Sequence, residues 1–437
     1  MKRMLIFILP LLLSTLLFAQ KDIEFVEYDL DNGMHVILHQ DNTTPIVATS
    51  VMYHVGSKNE DPERTGFAHF FEHLMFEGSE NIPRGTYFKI VQGAGGTLNA
   101  YTSFDKTYYY EILPSNQLEL ALWLESERLL HLKVDSIGVE TQRKVVKEER
   151  SQRYDNQPYG SLLEETFKNA FTKHPYSWIP IGSVQYIDQA TIEEFREFYE
   201  TFYVPENAVL SIAGDIEIEE TKELIEKYFG DIDKGGKEIP RPDIVEPEKT
   251  EEVRKTVYDN IQLPAVVHGY HIPEQGTDDY YALNMLTTLL SEGQSSRLYK
   301  SLVDNKQLAA FVGTFPLALE DPSLFLIYSI ASAGVEAENL EEALEEELED
   351  VKNNLISEKE FQKLQNQVEN NFISSNSTMA GIAESLANYY IYFDDANLIN
   401  NELERFKKVT REDIKRVANE YIKETNRVVL YYLPKAS

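Results

Sequence analysis

Two strand-like runs, Phe25 to Leu30 with alternating apolar and polar residues and the mostly apolar Met34 to Leu38, are joined by Asp31-Asn32-Gly33. Alternation predicts strands, and Asn-Gly between two of them is a strong hairpin signal. A third strand is expected over 46–55, followed by a polar loop over 56–64. The pattern then changes. From Gly66 to Gly78, the residues Phe67, Phe70, Phe71, Leu74, Met75 and Phe76 surround the few polar positions on almost every side, which marks a largely buried helix. Past Gly93-Ala94-Gly95-Gly96, strands are expected over 97–102 and 107–113. No Lys-Ser or Lys-Thr helix follows those glycines, so they form a tight turn rather than a phosphate cradle. Helical periodicity covers 118–132 and 139–153. Ile192, Phe195 and Phe198 form the apolar stripe of another helix after Thr191; a strand over 207–215 and a helix over 219–229 follow.

Residues 236–250 are poor in apolar side chains and rich in Pro, Lys and Glu, the composition of a linker. Beyond it the pattern starts again. Pro45 and Pro264 each precede a strand, Thr191 and Thr410 each open an acidic helix start, and Asn207 and Asn426 each open an apolar strand, every pair separated by 219 residues. One spacing shared by three landmarks implies a duplicated domain. The expected fold is α+β, two homologous α/β sandwich domains in which an antiparallel-rich sheet is covered by helices, with an N-terminal domain over 20–235 and a C-terminal one over 251–437.

Lys2 and Arg3, an apolar run from Met4 to Phe18 and the small Ala19 read as a signal peptide over 1–19, too short to span a membrane comfortably. Export to the periplasm or the outside of the cell follows, and no other stretch resembles a membrane span. There is no cysteine, so a metal site would have to use His and carboxylates. The formal charge of −32 argues against nucleic acid as a partner and is that of a solvated acidic surface.

The chemistry concentrates in His69-Phe70-Phe71-Glu72-His73. Residues four apart on a helix share a face about one turn from each other, so His69 and His73 can offer ring nitrogens to one metal ion. Glu72 reaches the same face but lies too close to the metal axis to be a comfortable ligand. A carboxylate there can hold a water, which makes Glu72 the candidate general base. In the helix over 139–153, Val145 and Val146 mark the inward face; Glu149 is four residues past one and three past the other, whereas Glu148 is in phase with Val145 alone. Glu149 is the better inward carboxylate, the alternative being a solvated charge run over 147–150. The 219-residue spacing carries His69, Glu72, His73 and Glu149 onto Thr288, Ser291, Glu292 and Val368, so the second copy has no such site.

With these residues collected, the chain resembles the zinc metallopeptidases of the pitrilysin and mitochondrial processing peptidase family, whose motif inverts the common His-Glu-x-x-His order. The resemblance implies one Zn²⁺ per chain on His69, His73 and Glu149, the last in Arg143-Lys144-Val145-Val146-Lys147-Glu148-Glu149, which matches the family's Arg-x-Val-Val-x-x-Glu. A supporting Glu of the family is replaced by Gln142. Asn99, Ala100 and Tyr101 fall in what looks like the family's substrate-binding edge strand, with Asn99 holding the substrate backbone near the metal. An Arg and a Tyr seven residues apart complete the family's site; here Val303 and Ala310 stand at those positions, downstream of Ser296-Arg297-Leu298-Tyr299. The implied protein is a metalloendopeptidase for unfolded or short peptides, the zinc-bearing half of a heterodimer whose companion, of similar length, supplies Arg and Tyr. A non-catalytic peptide-binding or structural subunit is the alternative.

Overall fold

The computed structural model describes residues 22–435, so the leader expected over 1–19 lies outside the described residues. Six strands, β1 (Val26–Asp29), β2 (His35–Gln40), β3 (Ile46–Tyr53), β4 (Thr97–Thr102), β5 (Thr107–Pro114) and β6 (Ala208–Gly214), form one sheet in the order β1-β2-β6-β3-β5-β4. Five more, β7 (Val253–Asp259), β8 (Ala265–Ile272), β9 (Ala309–Pro316), β10 (Ser323–Ala331) and β11 (Arg427–Pro434), form a second in the order β7-β11-β8-β10-β9. Each sheet has a single parallel pair, β2 with β6 and β11 with β7, and is otherwise antiparallel. Set β1 aside and the two orders coincide. This is the helix-covered, antiparallel-rich α+β arrangement that the hairpin pattern predicts.

Local bonds repeat at the 219-residue spacing as well. Thr191 Oγ1 accepts the Glu194 N–H at 3.2 Å and Thr410 Oγ1 accepts the Asp413 N–H at 3.1 Å, each closing a reciprocal capping box. Asn207 Nδ2 donates to Phe202 O at 2.7 Å, and Asn426 Nδ2 donates to Tyr421 O at 2.9 Å. Between Phe229 and Val253 there is neither helix nor strand. This strap is nevertheless tied down, because the Glu246 carboxylate accepts the N–H groups of Thr172, Lys173 and His174 at 2.7 to 2.9 Å.

The two halves trade helices. Leu162–Ala170, in the first half of the chain, packs on β8 and β11 of the second sheet, while Met379–Phe393 packs on β2, β3 and β6 of the first. One apolar core therefore runs from Val47, Tyr109 and Leu124 through Phe167 and Phe171 to Val267, Leu324 and Val428. A charged clasp crosses the same boundary. Lys58 Nζ, on a nearly buried side chain, lies 3.2 Å from the fully buried Asp105, 2.5 Å from Glu320 and 2.9 Å from Asp321. Tyr176 OH donates to Asp105 at 2.6 Å and accepts the Asp321 N–H at 3.1 Å.

Two details differ from the expectation. The helix expected over 139–153 begins earlier, at Ser136, because Asp135 accepts the Gly138 N–H at 2.9 Å, and it gives way after Arg150 to a π-helical turn, Ser151–Asp155. Val145 is not inward: it is 42% exposed, whereas Val146 is buried and alone sets the phase.

The clasp yields a prediction. Burial opposes ionisation of Glu320 and Asp321, yet His54 with Lys58 for the first, and His174 with Lys58 for the second, pull both down to about 2. Carboxylates held below their unfolded values stabilise the fold above pH ~4, and that stabilisation is lost as the pH falls towards ~2. Lys58→Met leaves Asp105 buried without its cation and should cost about 3–5 kcal/mol. Urea unfolding at pH 7 would measure this loss, and the same series taken down to pH 3 should show a shallower acid decline in the variant than in the wild type.

Candidate metal centre

Glycine starts the helix that carries the polar trio. Gly66 caps Phe67–Leu74 with φ +101°, and a side chain there would meet Ile181 O and the Ile187 side chain at 3.0 Å. Gly66 has no side chain with which to cap the helix, so the free N–H groups find a distant acceptor: Glu60 Oε2 takes Gly66 N–H and Oε1 takes Ala68 N–H, both at 2.9 Å, and Trp178 Nε1 donates to Oε2 at 3.1 Å. The apolar sides are held by aromatic contact, with Phe67 and Phe70 against Phe195 at 4.6 and 4.4 Å and Phe71 against Phe198 at 5.6 Å between ring centres. Burial of those rings fixes the roll of the helix, and the roll decides where His69 and His73 point.

They point at Glu149. Glu149 Oε2 lies 3.0 Å from His73 Nε2 and 3.6 Å from His69 Nε2. One donor atom from each of the three residues lies within 4.8 Å of the other two. Tetrahedral Zn²⁺ with bonds near 2.1 Å sets its ligand atoms about 3.4 Å apart, so the trio brackets the size of such a site. Glu149 Oε2 is moreover buried and without an aligned hydrogen-bond donor, the state of an atom prepared for a cation. The electrostatics agree with the geometry. Burial, reinforced by the neighbouring His73, lowers His69 to about 4 and keeps its ring neutral with a lone pair to give. His73 holds the Glu149 carboxyl below the ordinary range against the opposing effect of burial. These residues fit a zinc ion.

Glu72 stands beside the trio without joining it. Its Oε2 accepts the Thr102 hydroxyl at 2.7 Å, and Thr102 is the last residue of β4. Burial raises Glu72 above its ordinary value, with the Thr102 hydrogen bond opposing. A carboxylate raised in this way can take up a proton and release it again.

β4 is an edge of its sheet and, among the described residues, pairs with β5 alone. Alternation puts Leu98, Ala100 and Thr102 on the face of the metal helix, and Leu98 and Ala100 pack into its core. Asn99 and Tyr101 share the opposite face, where Tyr101 OH donates to Glu384 at 2.7 Å. Asn99 can therefore meet a peptide at this edge through its backbone, with its side chain on the far side of the sheet from the metal helix. Gln142 is likewise set apart: among the described residues its only hydrogen bond goes to Glu77, at 3.3 Å. Val303 packs against the second core and Ala310 is exposed on β9.

Sequence reasoning passed over Glu60, Thr102 and Arg153, whose Nη1 lies 2.9 Å from Glu149 Oε1. Thr102 was readable as the next residue after Ala100 on the helix-facing side. Glu60 had only the weak signal of an acid upstream of a helix that lacks a polar cap.

The family described as Insulinase (Peptidase family M16) matches residues 35–179, and that described as Peptidase M16 inactive domain matches 189–368. The zinc protease PqqE of Helicobacter pylori is 35% identical over 410 residues, 93% of this chain and 92% of that protein. The chain belongs to peptidase family M16. Among other M16 relatives, the uncharacterized zinc protease YmxG of Bacillus subtilis is 26% identical over 81% of this chain and 86% of its own. A crystal structure of a protease from Helicobacter pylori superposes with TM-score 0.90 at 32% identity, covering 94% of this chain and all of that one. The periplasmic protease PqqL of Escherichia coli shares the fold at TM-score 0.76 and 18% identity; the match covers 94% of this chain and 48% of PqqL. No helix among the described residues is long and apolar enough to cross a membrane.

If the trio is the metal site, His69→Ala or Glu149→Gln should lower the zinc retained after dialysis from one ion per chain to near zero with the fold intact by circular dichroism, whereas Gln142→Ala should retain it. Elemental analysis of the purified variants gives the answer.

Proposed function

We propose that this M16 protein is an exported zinc metalloendopeptidase that hydrolyses unfolded or short peptides. The observation that carries the reading is the convergence of two imidazoles and a buried carboxylate oxygen next to a sheet edge. His69, His73 and Glu149 would hold Zn²⁺, one per chain, which supplies Lewis acidity to the scissile carbonyl and to a water. The chain's own groups do the rest. A peptide added to β4 as an extra strand is held extended by main-chain hydrogen bonds from the Asn99–Tyr101 stretch, which selects segments that can unfold to reach it. Thr102, at the end of that strand, pins Glu72 through Oε2. Glu72 takes a proton from the attacking water as the water oxygen bonds to the carbonyl carbon. It then passes the proton to the amine nitrogen as the C–N bond breaks, and the products are a carboxylic acid and an amine.

A specific absence bears on assembly. Val303 and Ala310 stand where the family resemblance calls for Arg and Tyr, so the proposal includes a companion chain of similar length that brings them. The same absence is what favours the second reading, a peptide-binding subunit without turnover of its own.

Two measurements test this. Glu72→Gln should bind zinc like the wild type and lose turnover of a quenched unstructured peptide by about 10²–10⁴-fold, the range for a general base; wild-type turnover would overturn the assignment. Mixing the chain with a companion that carries the Arg and Tyr should raise turnover sharply. Full activity of the chain alone removes the need for a companion, and zinc without activity in either sample supports the binding subunit.

A further inference from the structure

Arg153 is placed where none of the other cations of its segment is. Lys147 is spent on Asp188 at 2.8 Å, Arg150 on Glu164 at 2.8 Å and on Gly182 O at 2.6 Å, and Arg143 on Glu140 at 3.2 Å and Ala190 O at 3.0 Å. Arg153 has one partner among the described residues, Glu149 Oε1 at 2.9 Å, and its side chain is 74% exposed. Its guanidinium thus sits one carboxylate away from the ring nitrogens of His73 and His69, on a side chain largely open to solvent. Its charge is felt at Glu72 and His69 as well as at Glu149.

The backbone beneath it is braced. Arg153 lies in the π-helical turn Ser151–Asp155, a distortion that often marks functional positions. The loop that follows holds Tyr159 at φ +60°, where its N–H donates to Asp259 at 2.9 Å and its hydroxyl to Leu263 O at 2.7 Å, both in the second half of the chain. Next to it, a side chain on Gly160 would fall 2.2 Å from Tyr154 O, so the loop closes tightly on the turn. A left-handed non-glycine residue costs of the order of 1–3 kcal/mol and persists where its surroundings force it. The consequence here is a fixed platform for an exposed cation, in place of a loose surface arginine.

From this placement we infer that Arg153 is a specificity-determining residue that receives a carboxylate of the substrate, either a C-terminal carboxylate or an Asp or Glu side chain next to the scissile bond. The inference rests on the peptidase reading of the site. A planar guanidinium presents a two-pronged donor set that matches a carboxylate, and Arg153 meets Glu149 through Nη1 on a side chain that is otherwise largely exposed. A cation bound by Glu149 Oε2 would draw charge from the same carboxylate and loosen the grip of Oε1 on Arg153, which frees the guanidinium as the site becomes competent.

The test uses the full chain carrying Glu72→Gln, to hold peptides without cleaving them, and three fluorescent peptides of one sequence: neutral and amidated, neutral with a free C-terminus, and amidated with a Glu beside the scissile bond. Fluorescence anisotropy should show at least one carboxylate peptide binding about tenfold more tightly than the neutral amide, and which one does so identifies the source. Adding Arg153→Met should abolish that preference while zinc content and affinity for the neutral amide stay as they were; Arg153→Lys should restore part of it. Equal affinities for all three peptides, or a preference that survives Arg153→Met, overturns the inference. If Arg153→Met lowers zinc content or affinity for every peptide alike, Arg153 only orients Glu149 and the inference fails. Failure of even the neutral amide to bind would instead count against the peptidase reading itself.

Discussion

A helix that buries ionisable side chains must satisfy them, and this requirement organises the first half of the chain. Phe67, Phe70, Phe71 and Leu74 pull the helix into the core, and the same burial strips water from His69 and from the start of the helix. Each stripped group then needs a partner from elsewhere. Glu60, itself held by Trp178, answers the N–H groups of Gly66 and Ala68, Thr102 answers Glu72, and Glu149 comes in from the helix Ser136–Arg150. An unpaired buried polar group costs about 1–3 kcal/mol, so four such debts left open would offset much of what the aromatic packing contributes. The loop over 56–66, the edge strand and the Glu149 helix are for this reason placed relative to one another by electrostatics, with hydrophobic contact setting the distance.

How much of this could be read from the sequence follows from the range of each interaction. The helix was visible because burial on every side leaves a mark in consecutive residues. Glu149 was reachable through phase, although one of the two valines that set the phase, Val145, proved exposed; Val146 carried the argument by itself. Strand boundaries over 97–102 and 107–113 were accurate because glycines and polar turns bracket them. Glu60 and Arg153 were hidden for opposite reasons. The first acts through backbone N–H groups that no side-chain pattern reports, and the second depends on a helix changing from α to π geometry after Arg150, which periodicity reads as plain continuation.

The repeat was legible at its capping boxes and asparagine brackets, since these are local and keep their spacing. What the spacing could not reveal is the exchange of helices. Leu162–Ala170 and Met379–Phe393 occupy corresponding stretches of the two copies, yet each covers the other copy's sheet. A pattern of apolar positions says that a helix has a face to bury and is silent about which sheet receives it. The exchange explains why one continuous core serves both halves, and why the Lys58 clasp and the Tyr159 anchor, which also cross the boundary, work between parts that are already fixed.

Comparison of the two copies separates fold from chemistry. In the second, Ser291 stands where Glu72 stands in the first, and its hydroxyl meets Thr314 of the edge strand β9, with Oγ to Oγ1 at 2.8 Å and the Thr314 N–H donated to it at 2.9 Å. A hydroxyl on the edge strand thus bonds the same helix position in both halves. The helix-to-edge contact is a property of the architecture, present with or without an acid to use it. Around Val368, the counterpart of Glu149, Met285, Leu403 and Phe406 share the lining of a cavity of about 310 Å³ with Glu369 and Lys407, and no histidine is there to join the acid as a metal ligand. The first half keeps the same tie between helix and strand and changes what hangs from it. With Glu in place of Ser, the bond that fixes an edge strand would, on the proposed peptidase reading, also aim a base at the peptide that strand collects, so that substrate capture and proton transfer would share one short piece of backbone.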